Sequence, residues 1–174
     1  MAQQRRDDKY SNVVSAEVTQ TGPDAITFTE VRTGISLGQG IGMVIDQIDY
    51  FENQISAALV VATGDRLIGA WCVSNAITAM DNEELAVDNR IIHGFKHHLA
   101  PIVGAAASTG YPDIYPRVFQ FFPGIIVAAP RLYFGVDSNS LTSPANIASR
   151  LYFRYVELTP QEYIELAEAF ILVG

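Results

Sequence analysis

A chain of 174 residues is long enough for one domain with its own core, and its formal net charge of −8 excludes a general nucleic-acid binder, which needs a basic surface to neutralise phosphate. Its single cysteine, Cys72, excludes both a disulfide framework within the chain and a zinc site built on cysteines. Charged residues make up 17% of the chain, against about 25% in an ordinary soluble domain, and hydrophobic residues 49%. That composition leaves two readings open: a well-filled core, or surface buried against other subunits.

Residues 1–24 are expected to form a polar arm that ends in the turn cluster "TQTGPD", with "NVVSAEV" able to pair as a strand. The opening "MAQQRRDDKY" lacks the apolar stretch of a signal peptide, and runs such as "AALVVA" and "GIIVAA" are too short to cross a membrane, so synthesis as a soluble protein in a cell's cytoplasm is expected. Short extended segments follow. "AITFTEV" alternates Ile26 and Phe28 with Thr27 and Thr29, and "GMVIDQIDYFE" is expected to set Val44, Ile48 and Tyr50 on one side with Asp46 among them. "ISAALVVAT" and "RLIGAWCVS" flank "TGDR", which predicts a hairpin of two buried strands, with Trp71 and Cys72 in the core.

"NAITAMDNEELAVDNR" predicts a short helix capped by Asp81 with Glu84 three positions later. "RIIHGFKHHL" returns to apolar spacing, and the small, Gly- and Pro-rich "APIVGAAASTGYPDIYP" predicts a long loop. "RVFQFF" is expected to break at Pro123-Gly124, ahead of a strand "IIVAAPRLYFGV" that puts Ile126, Ala128, Pro130, Leu132, Phe134 and Val136 on one face. A proline inside that strand predicts an edge or a bulge. The last strand alternates Leu151, Phe153 and Tyr155 against Arg150, Tyr152 and Arg154.

At "LTPQE" the period changes from two to about 3.6. Thr159 can cap a helix, Pro160 suits its first position, and Glu162 closes a capping box. Tyr163, Leu166, Ala167, Phe170 and Ile171 then form one apolar stripe. About eight strands with few long helices and no internal repeat predict an all-β fold: an antiparallel eight-stranded jelly-roll sandwich over residues 25–158, with a short C-terminal α-helix over 159–174 packing on the sandwich or on a neighbour. An immunoglobulin-like or other sandwich is the competing architecture.

Reactive groups do not assemble along the sequence. Gly34, Gly38, Gly40 and Gly42 fit neither the dinucleotide fingerprint nor a P-loop, so no nucleotide cofactor is expected. His93 and His97 lie four apart on one strand or helix face, but with no HxH pair and no histidine after His98 a metal site is not expected. Partly exposed histidines would make assembly depend on pH near 6.5. Asp81, Glu83, Glu84 and Asp88 lack the glycine and the alternation of an EF-hand loop; a calcium ion bridging subunits stays open. Neither a GxSxG elbow nor a flanked catalytic cysteine occurs, so no catalytic residue is assigned and no enzyme is expected. Tyr111 and Tyr115 in "GYPDIYP" are loop aromatics suited to a sugar or a neighbouring subunit. The tail from Tyr155 carries four Glu and no cation, a charge of −4, while residues 101–154 carry +2; patches of opposite sign can meet across a subunit contact.

Taken together, "FQFFPGIIVAAPRLYFGV", "ASRLYFRYVEL" and the terminal "TPQEYIELAEAF" make most of the chain resemble a single-jelly-roll viral capsid protein. The resemblance implies a structural virion protein, made in the host cytoplasm, that self-assembles into an icosahedral shell through contacts with other copies of itself and with other virion proteins. It implies no cofactor and carries over no catalytic residue. The arm departs from the basic arms of genome-binding relatives: Arg5, Arg6 and Lys9 are offset by Asp7 and Asp8, so genome contact is expected to be weak or indirect, and an internal membrane fits this subunit as a neighbour. A carbohydrate- or receptor-binding sandwich, such as a spike or fibre head using Tyr111 and Tyr115, is the alternative.

Overall fold

The structure, a computed structural model, describes residues 11–36, 40–53, 67–75, 90–98, 116–139, 141 and 143–171. The described chain runs β1 (Asn12–Thr19), β2 (Thr27–Arg32), β3 (Ile41–Asn53), β4 (Leu67–Val73), β5 (Ile91–His98), β6 (Arg117–Val127), β7 (Arg131–Asn139), β8 (Asn146–Glu157) and α1 (Pro160–Ile171). The pairing is nested. β1 pairs with β8, β2 with β7, β3 with β6 and β4 with β5, all antiparallel. This is one long ribbon folded at its middle. Wrapping the ribbon adds the β3–β8 and β4–β7 ladders and closes two four-stranded sheets, sheet A in the order β1-β8-β3-β6 and sheet B in the order β2-β7-β4-β5. Nested pairing with this wrap is a jelly roll, and it separates the fold from an immunoglobulin-like sandwich.

The core lies between the sheets. β3 contributes Met43, Ile45, Ile48 and Tyr50; β4 contributes Ile68, Ala70 and Cys72; β7 contributes Leu132, Phe134 and Val136; β8 contributes Ile147, Leu151 and Phe153. Each large side chain removed from water stabilises the fold by roughly 1.5–3 kcal/mol. Trp71 is buried as expected but faces away from this core. It packs with Val73, Ile26, Phe28, Ile91 and Tyr133 on the outer side of sheet B. Phe28 and Trp71 there sit opposite glycine: Gly135 pairs with both residues, and a Cβ on it would collide with the Phe28 ring.

Four expectations change. The sandwich starts at Asn12, inside the expected arm, because "NVVSAEV" adds β1 to the edge of sheet A. Asp46 is a bulge in β3, so the inward face switches phase there: Met43 and Ile45 precede it, Ile48 and Tyr50 follow it, and Val44 points out. Pro123-Gly124 does not break the strand. Residues 121–124 of β6 stand opposite Asp46 alone, and β6 continues to Val127. The break comes at Ala128–Pro130 instead, and Ile126 is exposed rather than facing the core. Gly124 is required at the bulge, since a Cβ would press on the Ile45 carbonyl oxygen at 2.7 Å.

The helix start is as the sequence predicts. The Glu162 amide donates to Thr159 Oγ1 at 3.3 Å, and the Thr159 amide donates to Glu162 Oε2 at 2.8 Å. α1 lies against β6, with Tyr163 buried and Leu166 half-buried on the expected stripe. Arg5, Arg6, Lys9, Tyr111, Tyr115, the "TGDR" turn, the segment 81–88 and the side chain of His98 lie outside the described residues.

Candidate functional site

The side chains with the most chemistry gather where the two sheets present their edges on the same side, β6 for sheet A and β5 for sheet B. Strand alternation supplies both halves. Tyr50 and Glu52 are two apart on β3, and His93, Phe95 and His97 are two apart on β5, so each set turns to one face. Both sets face inward, and β6 adds Arg117, Phe119 and Phe121 between them.

At one end, His93 Nδ1 lies 3.2 Å from the Tyr50 hydroxyl. Burial pushes the Tyr50 phenol well above its usual range, so it keeps its proton and donates it. Nδ1 is therefore the acceptor, and the ring carries its hydrogen on Nε2. Burial also pushes His93 down, to about 4. The ring stands 4.3 Å from Phe119 and 5.4 Å from Phe121, centroid to centroid, and stacks on Tyr50 at 5.8 Å. Aromatic surfaces replace the water that a cation would need.

At the other end, the Glu52 side chain is only 2% exposed and is met by two basic groups. His97 Nδ1 lies 3.1 and 3.2 Å from its two oxygens, and Arg117 Nε lies 3.5 Å from Oε1. Arg117 also covers the Phe95 ring at 5.2 Å. Glu52 and Arg117 belong to sheet A and His97 to sheet B, so the contact ties the sheets together. A carboxylate this buried is retained only when it is paired.

The chemistry of the cluster is that of holding. Cys72 pairs across the ladder with His93, but burial pushes its thiol up to about 12, so no thiolate forms beside the imidazole near neutral pH. No group of three or more His, Cys, Asp or Glu among the described residues can hold a metal ion. His93 and His97 thus share a strand face, as their spacing allows, but stand in opposite surroundings. Tyr50, Glu52, Arg117, Phe119 and Phe121 are the members not assigned from sequence. One signal was present in "DYFE": an acid two residues after a core-facing Tyr must be paired if the strand continues.

Outside this cluster, Lys96 Nζ lies 5.7 Å from the Trp71 ring and 3.9 Å from Asp137 Oδ2 on the outer side of sheet B, and the buried Trp71 Nε1 has no hydrogen-bond partner among the described residues. Among the described residues, no helix is long and apolar enough to cross a membrane. No protein-family model matches this chain, and no curated protein matches it.

Proposed function

We propose that the chain is a structural capsid subunit that assembles with copies of itself into a closed shell. The observation that carries this reading is the outward side of β6, the edge strand of a jelly roll. Val118, Phe122 and Ile126 are all exposed there, and Phe122, on the bulge, is 103% exposed. Apolar side chains on an edge strand invite pairing with another chain, and proteins that remain single normally blunt them with charge.

The local charge favours a second copy as that partner. A chain of net −8 repels its own kind at long range. Beside the bulge, Asp46 is neutralised by Arg154, whose Nε and Nη2 donate to its two oxygens at 2.9 and 3.0 Å. Copies meet at least electrostatic cost where charge is already cancelled. A contact between β6 and a different patch of the next copy would be head-to-tail, the kind that closes into rings. Other virion proteins, an internal membrane and a weakly held genome are further partners of such a subunit.

Replacing Phe122 tests the contact without touching the core. Phe122→Ser should leave the folded subunit intact and weaken association by about thirtyfold per contact, the equivalent of about 2 kcal/mol of lost apolar burial. Unchanged assembly by this variant would remove β6 from the interface. An isolated trimer that binds glycans would instead favour the receptor-head alternative.

A further inference from the structure

The two histidines on the inward face of β5 answer a proton in opposite ways. His97 faces Glu52 from β3 and Arg117 from β6, with Ile68 of β4 beside it in the ladder. A proton on His97 creates a full ion pair with Glu52. His93 faces Tyr50 from β3, Cys72 from β4, and Phe119 and Phe121 from β6. Among the described residues, no carboxylate meets it. A proton on His93 removes the acceptor of the Tyr50 hydrogen bond and leaves a cation among rings. Lys96, the remaining described cation of β5 whose side chain is placed, lies on the outer side with Asp137 and takes no part.

We infer that β5 is a one-ended, proton-operated latch: in mild acid its Ile91–His93 end opens from β4 and sheet A more often, the closed form remaining the majority, while His97 stays pinned to Glu52. Geometry supplies the reason for peeling. β5 is an edge strand with β4 as its only ladder partner among the described strands, so lifting its end hydrates the His93 cation at the cost of few backbone hydrogen bonds. Burial holds His93 neutral down to about pH 4, so the closed end resists the proton until the strand opens, and opening becomes easier as pH falls below 6.5. The inference does not depend on the capsid reading, because the latch lies within one chain.

Residue-resolved amide hydrogen exchange on the full chain tests it, with rates corrected for the intrinsic effect of pH. Between pH 7.0 and 4.5, protection of the amides around Cys72, Ile92 and His93 should fall about tenfold, with the amides of β1 and β8 unchanged and those beside His97 at least as protected. His93→Gln should abolish the tenfold fall. A second readout needs no variant: imidazole nitrogen shifts of the unmodified protein should show His93 neutral, with hydrogen on Nε2, at pH 5. Equal loss of protection along all of β5, a fall that persists in His93→Gln, or a His93 ring charged at pH 5 would each overturn the latch.

Discussion

The two sides of the sandwich are tied by different materials. On the β1/β2 side, the crossings between sheets are held by amides, hydroxyls and the Asp24 carboxylate. Gln20 Nε2 donates to the Ala25 carbonyl at 2.8 Å and to Ser138 Oγ at 2.9 Å, while its Oε1 accepts from the Ala145 amide at 2.7 Å. Ser138 and the Leu141 amide both donate to Asp24 Oδ1, at 3.1 and 3.0 Å, and Asp24 holds the turn at a positive φ of 57°. On the β5/β6 side, the corresponding ties are Glu52 with His97 and Arg117, and Tyr50 with His93. The first side is a web of short bonds that share partners and join segments 114 to 125 positions apart. The second is a pair of isolated contacts between long side chains, and both contain groups that exchange protons. The mechanical task is the same, but only one of the sides is built to respond to pH in the range where histidine titrates.

The comparison can be broken at its charged end first. Glu52→Ala leaves Arg117 without its buried counter-ion and His97 without its hydrogen-bond partner and should cost about 3 kcal/mol of unfolding free energy, below the upper range for buried pairs because both side chains reach solvent. A change under 0.5 kcal/mol in urea unfolding would show that the triad holds nothing. Gln20→Ala should cost nearly as much, about 2–3 kcal/mol, through the Ala145 amide left without its acceptor and the lost bond to Ser138, whose hydroxyl keeps Asp24, and its effect should be the same at pH 7.5 and pH 5.5. A strong pH dependence in this variant would erase the contrast between the two sides.

The pH response itself is smaller. His93 sits at about 4 in the folded protein and at about 6.5 when unfolded. A histidine depressed in this way gives its full stability above pH 6.5, loses it as pH falls toward 4, and contributes no further change below that. Because the ring keeps partial contact with water, the loss should be about 1–2 kcal/mol rather than the full value of the shift. Urea titrations of the unmodified protein and of His93→Gln at pH 7.5, 5.5 and 4 measure it; parallel curves would refute it. The smallest effect is expected at the helix start, where Thr159→Ala should cost about 1 kcal/mol, read by thermal unfolding, with Thr159→Ser close to the unmodified protein.

Much of the architecture was legible because it depends on period. Alternation marked β2, β7 and β8, and the capping box at Thr159 and Glu162 placed the start of α1 to within a residue. Errors came where one inserted residue reverses parity. Asp46 shifts the inward face of β3, and a strand's alternation gives no warning of a bulge until its partners are known. Pro123 was read as punctuation, yet an edge strand can absorb a proline, since its outward amide has no ladder partner to lose. β1 was legible as a segment able to pair, but its polar face placed it in the arm rather than in the sandwich it extends.

The candidate site was less legible for a related reason. Glu52 and His97 are 45 positions apart, and Tyr50 and His93 are 43 apart, so each pair exists only after two sheets have packed. Spacing placed His93 and His97 on one face. It could not say that one would meet a carboxylate and the other three aromatic rings.

Sedimentation velocity of the unmodified protein, with negative-stain microscopy of the fastest species, over a range of salt and pH, tests the assembly reading most directly. Large symmetric particles, or stable pentamers or hexamers that form them, are the result it predicts. A single folded monomer under every condition would contradict it.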